Sequence, residues 1–169
     1  MSSLYVASSG PIVTGAKEAN VFILTNSSKD VDILPSELVV SGNKNLTFSI
    51  LVDMDYDSGG QGIEPLNANR TEEEVSSLTE ADIKYGNDIM LSGDMMVYER
   101  LRSQAYETHR HQFKGDLVLG LGSSIAVRVL SDDSNQVFVN LRYREMSIRP
   151  EKAEMPPLPF LTAMKVVKK

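Results

Sequence analysis

The sequence predicts an all-β protein: an antiparallel β-sandwich, jelly-roll-like, with an extended C-terminal arm. Three observations carry that expectation. Apolar residues recur with period two along most of the chain. Stretches with helical spacing are nearly absent. The clearest alternating runs also keep polar or charged residues on one face, which antiparallel sheets permit and doubly wound parallel sheets do not. The length, 169 residues, suits one domain with a sizeable core. The reading divides it into a sandwich over residues 1–148 and an arm over 149–169.

The elements follow in order. Val21, Phe22, Ile23 and Leu24 form a short apolar run closed by Asn26-Ser27-Ser28, a turn signal. Residues 46–52 begin with apolar–polar alternation and predict a half-buried strand. Residues 72–82 hold good helix formers. Thr71 stands as a cap, Glu74 completes a capping box, and Val75, Leu78 and Ala81 fall at i, i+3, i+6, so one short helix is expected there. Residues 94–105 alternate Met96, Tyr98, Arg100 and Arg102 with Val97 and Leu101, which favours strand. Leu117-Val118-Leu119 runs into Gly120-Leu121-Gly122, read as a turn. Ile125, Val127 and Val129 then share one face. After the polar cluster at 131–135, Val137, Val139, Leu141 and Tyr143 share one face, with Phe138, Asn140, Arg142 and Arg144 on the other. Two alternating runs about a five-residue polar turn predict a hairpin. The whole reads as seven or eight short strands.

Composition excludes several chemistries. The chain has no Cys, so no disulfide framework, zinc ribbon, iron–sulfur cluster or cysteine nucleophile is available. Its net charge of −6 argues against duplex nucleic acid as the main partner. The first residues lack a basic stretch and an apolar run, and no segment reaches the ~18 apolar residues of a membrane span. A protein made in the cytoplasm, without a membrane partner, is therefore expected. The charge is unevenly placed: residues 53–82 hold nine acids and one base, whereas 149–169 hold two acids and five bases. The acidity belongs to an insertion-like segment, and the tail has the opposite sign.

Few constellations could carry chemistry. Asp53, Asp55, Asp57 and Glu64 fall at positions 1, 3, 5 and 12 of a calcium-loop pattern, where oxygen ligands can wrap Ca²⁺. Ser58 stands where that loop needs glycine, and a strand rather than a helix precedes it. The expected cofactor is none, with Ca²⁺ the one candidate. His109 and His111 lie on one face of a strand, as a metal pair requires, but no third ligand is evident. No GxSxG, HExxH, P-loop or GxGxxG motif occurs, and no enzymatic activity is expected. The absence of Trp weighs against a sugar-stacking surface. Asn-x-Ser/Thr triplets at Asn26, Asn45 and Asn69 read as chance matches.

The last segment differs from the rest. Pro156-Pro157-Leu158-Pro159 favours extended polyproline II conformation. Phe160, Leu161, Met164, Val166 and Val167 follow, with Lys165, Lys168 and Lys169. Pro156, Pro157, Phe160, Leu161, Met164 and Val166 are the candidate partner-binding residues, on an arm that docks on a neighbouring subunit. The other reading is a tail that packs on its own domain or stays disordered.

Three segments resemble small structural proteins of tailed-bacteriophage virions. Residues 15–28, GAKEANVFILTNSS, look like their opening strand and Asn-Ser turn. Glu64-Pro65-Leu66-Asn67-Ala68-Asn69-Arg70, after Gly59-Gly60-Gln61-Gly62, resembles a TPxNxNR segment that follows a glycine-rich turn. Residues 119–129, LGLGSSIAVRV, are similar to a closing PPGTSLAVRV hairpin, with Leu-Gly in place of Pro-Pro. The likeness spans roughly residues 11–145. It implies a non-enzymatic β-sandwich of the virion, assembled in the host cytoplasm. Most consistent with it is capsid decoration or cement, bound to the major capsid protein and to copies of itself as a homo-oligomer. The alternative is a tail- or collar-associated binding module for a glycan or calcium.

Overall fold

The structure, a computed structural model, describes residues 2–68 and 79–148. Among these residues all regular structure is strand. In chain order the strands are β1 (Ser2–Ser8), β2 (Ile12–Thr14), β3 (Ala19–Asn26), β4 (Val31–Gly42), β5 (Leu46–Val52), β6 (Asp55–Ser58), β7 (Gln61–Gly62), β8 (Leu66–Asn67), β9 (Ala81–Ser92), β10 (Met96–Ser103), β11 (Thr108–Gln112), β12 (Ser124–Ser131) and β13 (Asn135–Ser147). They form two antiparallel sheets packed face to face, the expected β-sandwich. One sheet, here A, runs β11-β4-β13-β1-β8, with β2 also beside β13. The other, B, runs β10-β5-β12-β3-β9-β6, with β7 also beside β9.

The predicted hairpin of residues 125–129 with 137–144 is not formed. β12 pairs with β3 and β5 in sheet B, whereas β13 pairs with β4, β1 and β2 in sheet A, so the turn between them crosses from one sheet to the other. Alternation reports which face of a strand is buried, not which strand lies beside it. Among the described residues no pairing joins two strands adjacent in sequence, and many but not all of the connections cross between the sheets. The predicted helix over 72–82 also meets a correction at its end. Ala81 and Asp82 open β9, where they pair with Asn26 and Thr25. Residues 69–78 lie outside the described residues. Strand pairing of this edge with β3 overrides the local helical spacing.

The inward faces carry out the period-two pattern. Val137, Val139, Leu141 and Tyr143 are all buried, as are Phe48 and Ile50 of β5 and Ile125, Val127 and Val129 of β12. Burying each such side chain contributes roughly 1.5–3 kcal/mol. β4, a long central strand, contains Pro35, which cannot donate to a ladder. It sits opposite Tyr143 where the register with β13 shifts between Arg142 and Tyr143, the kind of irregularity at which a sheet tolerates proline.

Two asparagines close opposite turns. Asn26, fully buried, donates through Nδ2 to the carbonyls of Val31 (2.7 Å) and Leu119 (2.9 Å), while its Oδ1 accepts from the Ser28 N–H at 2.9 Å. Asn135 donates to the Lys44 carbonyl and the Ser131 hydroxyl, each at 3.2 Å. These bonds fix the loops that cross between sheets.

Sheet B has a second, smaller core on its outer side. Ile23, Leu51 and Ala126 point away from the main core yet are buried, because Met54, Ile89 and Leu91 pack over them. After Ile89, β9 leaves β3 and pairs with β6: Tyr56 faces Leu91 and Asp55 faces Ser92. The chain thus straps the outer face of sheet B before entering β10.

Candidate functional site

The acidic segment builds this strap. β6 and the end of β9 form a two-stranded ribbon, and a glycine turn returns the chain to β7. Gly59 and Gly60 hold φ of +87° and +71°, conformations that favour glycine. A Cβ on Gly59 would lie 2.1 Å from the Asp88 carbonyl oxygen. The Gly60 N–H donates to Asp88 Oδ1 at 2.9 Å, the Tyr56 hydroxyl to the Gly59 carbonyl at 2.7 Å, and the Ser92 hydroxyl to Asp57 Oδ1 at 2.7 Å. Glycine is demanded one and two residues after the position a calcium loop would use.

The four calcium candidates are spread along this path. Asp53 takes a left-handed φ of +56° at the end of β5, with its N–H bonded to the Ser124 carbonyl. Asp55 and Asp57 lie on β6, and Glu64 follows β7. Among the described residues no three His, Asp or Glu side chains are placed to hold a metal ion.

His109 and His111 do share one face of β11, but that face looks into the edge of the sandwich. His109 meets Phe48 edge-on at 5.4 Å. His111 meets Phe113 at 4.6 Å and Tyr98 at 5.8 Å, and its Nδ1 lies 2.6 Å from Glu99 Oε2. β11 is the edge of sheet A and β10 the edge of sheet B, so this contact joins the two sheets where they would otherwise gape. Each imidazole therefore has a packing role. Beside it an open, polar cleft of about 760 Å³ is lined by Asn45, Arg102, Gln104, Glu107, His109 and Asp132, among others. It offers hydrogen-bonding groups but no paired nucleophile and base.

A further polar cluster gathers around two buried tyrosines of β1 and β13 in sheet A. Tyr5 and Tyr143 stack at 5.4 Å, 17° from parallel. The Tyr143 hydroxyl is 2.7 Å from Thr79 Oγ1, and Glu145 Oε1 accepts from the Thr79 hydroxyl and from the Glu80 N–H at 2.8 Å. Burial raises the Tyr143 phenol well above its ordinary value, and the Glu145 carboxylate adds to the rise. Burial and the same carboxylate raise Tyr5. These phenols stay neutral at physiological pH; they anchor the chain where it enters β9.

The outward faces differ. On sheet A, Glu37 is nearly buried between Arg110 (3.3 Å) and Arg142 (3.5 Å), while Phe138 and Met146 are exposed on β13. On sheet B, Ser49 of β5 faces Arg100 on one side and Arg128 on the other, and Arg100 Nε donates to its hydroxyl at 3.2 Å. Arg128 Nη1 reaches Met95 Sδ at 2.9 Å. Along the strap and the start of β10, Met90, Met95, Met96 and Val97 are between 43% and 60% exposed. Sequence reasoning placed Met96 and Val97 on a strand but did not gather these four. Their spacing in the sequence, around Gly93-Asp94, was the available signal.

The partner-binding candidates Pro156, Pro157, Phe160, Leu161, Met164 and Val166 lie outside the described residues, as does Asn69. Asn26, buried and triply hydrogen-bonded, cannot present a glycan in the folded chain. No protein-family model, no curated protein and no solved structure matches this chain.

Proposed function

We propose that the chain is a non-enzymatic structural component of a tailed-phage virion, of the capsid decoration or cement type, working through its sheet faces and residues 149–169. The observation that carries this reading is the amount of exposed apolar surface on the sandwich, with Met90, Met95, Met96 and Val97 along the strap and the start of β10 and Phe138 and Met146 on the outer face of sheet A. Exposed apolar surface set among polar residues marks contact with another macromolecule. The two histidines and the buried acids Glu37 and Glu145, meanwhile, each make packing, charge or hydrogen-bond contacts within the fold. The sequence resemblance supplies the kind of assembly, and many copies would make individually weak contacts additive. Mass spectrometry of gradient-purified particles from infected cells tests it. The chain should band with the capsids in many copies per particle. Recovery only in the soluble fraction would overturn the reading.

The polar cleft beside His109 favours a second reading, a tail or collar module that binds a glycan or another small polar ligand. A true ligand at 100 times its Kd should stabilise the fold by about 2.7 kcal/mol. A glycan array without hits, and a melting temperature unmoved by EDTA, would remove the glycan and calcium versions in turn.

A further inference from the structure

The strap roofs one row of residues on the outer side of sheet B, and the neighbouring row carries charge. Arg100 of β10 pairs with Ser49 of β5, Ser49 with Arg128 of β12, and Arg128 with Asn20 of β3, so these side chains share one face. Arg100, Ser49 and Arg128 line a small hollow of about 50 Å³, in which Glu18 is the one carboxylate. Two groups in it are incompletely partnered. Arg128 keeps only 22% of its side chain exposed, yet no counter-ion lies close. Its Nε donates to Asn20 Oδ1 at 2.8 Å, its Nη1 meets the uncharged Met95 sulfur, and Glu18 Oε2 is 4.0 Å away on a side chain 57% exposed. A guanidinium set this deep without a charge beside it gains from an anion. Asn20 is oriented for this contact, because its Nδ2 donates to the Ile89 carbonyl at 3.1 Å and leaves Oδ1 to Arg128. Ser49, which is buried, accepts from Arg100 Nε at 3.2 Å, and its own hydrogen has no acceptor among the described residues. On sheet A, by contrast, Arg110 and Arg142 converge on Glu37.

We propose that this hollow binds an oxyanion: a sulfate, phosphate or carboxylate group of a partner molecule. The guanidiniums of Arg100 and Arg128 hold it from the two flanking strands, and the Ser49 hydroxyl donates from the strand between them. Guanidinium forks match the oxygens of such groups, and the charged bonds are stronger than neutral ones. A hollow of this size takes one such group and leaves the rest of the molecule in solvent. Arg102 stands two residues further along β10 on the same face, exposed and without a hydrogen-bond or ion-pair partner among the described residues. It adds to the positive potential over the site. The inference goes beyond the virion reading and does not depend on it.

The test titrates the full chain with inorganic sulfate, inorganic phosphate and acetate at constant ionic strength, following backbone amides by NMR. The amides of residues 49, 100 and 128 should shift along a saturable curve. R100Q, at an exposed position, should weaken binding about tenfold, the loss of one hydrogen bond to a charged group. S49A should weaken it about threefold. R144Q removes the same charge from the outer face of sheet A and should leave the affinity within about twofold. Sulfate or phosphate saturating before acetate marks a tetrahedral group as the ligand, and the reverse order marks a carboxylate. Shifts that never saturate, or equal binding by the unaltered chain and R100Q, would overturn the proposal. Absence of the chain from purified particles, with saturable binding intact, would count against the virion reading alone.

Discussion

The two cores of this molecule behave as different kinds of structure. Between the sheets, twenty-two buried residues form one cluster fed by nearly every long strand. Outside sheet B, five buried residues suffice to hold the strap. The inner cluster is enclosed between two sheets, with long paired strands on most sides. The outer one is roofed by a short ribbon whose β6 pairs with only three residues of β9. Packing that encloses a residue on all sides makes its loss costly, whereas a roof able to settle recovers part of the loss. Interior and strap should therefore differ in stability and in local opening.

The largest effect is expected from Leu141→Ala, inside the main core. Its cost should be about 3–5 kcal/mol by chemical denaturation, spread over the whole domain. Leu51→Ala, beneath the strap, should cost about 2–3 kcal/mol. Hydrogen exchange should then quicken in residues 55–58 and 89–92 while β4 and β13 stay protected. Equal global losses without selective exchange would erase the distinction between the two cores. A third test uses the buried phenol. Tyr143 is raised in the folded state, so above pH about 10 the unfolded chain loses that proton while the folded chain keeps it. Stability is fully present below that pH and falls above it by about 1.4 kcal/mol per pH unit, until the folded phenol also ionises. Tyr143→Phe should flatten the alkaline slope; an unchanged slope would mean that water reaches this end of the core. The smallest effect belongs to the ribbon surface. Ser92→Ala, which removes the hydroxyl donor to Asp57, should cost about 0.5–1 kcal/mol, read from the denaturation midpoint.

Particular residues show where legibility ended. Val137, Val139, Leu141 and Tyr143 announce their burial by alternation alone, and Asn26-Ser27-Ser28 announces its turn. The same alternation misassigns β12 and β13 to one hairpin, since both runs look alike whether their turn stays within a sheet or crosses between two. β4 is harder to read, because Pro35 interrupts it and only the register shift opposite Tyr143 makes room for the ring. The ribbon was legible as an acidic segment with a late glycine. Its role as a roof was not, because Ile23, Leu51 and Ala126 read as ordinary members of buried strands, with nothing local to say that their outward faces are covered.

The sequence by itself determined that this chain is a sandwich, which residues of its main strands turn inward, and that its acidity and its basic apolar segment are kept apart. Those are properties of neighbouring residues, set by the two-residue period of a strand and by composition. Tertiary structure alone decided which strands pair, that consecutive strands part company, that His111 and Glu99 close the edge, and that residues 54–58 fold across the outer side of sheet B. Strand pairing joins residues far apart in the chain, and its energy depends on the partner face, which no local pattern encodes.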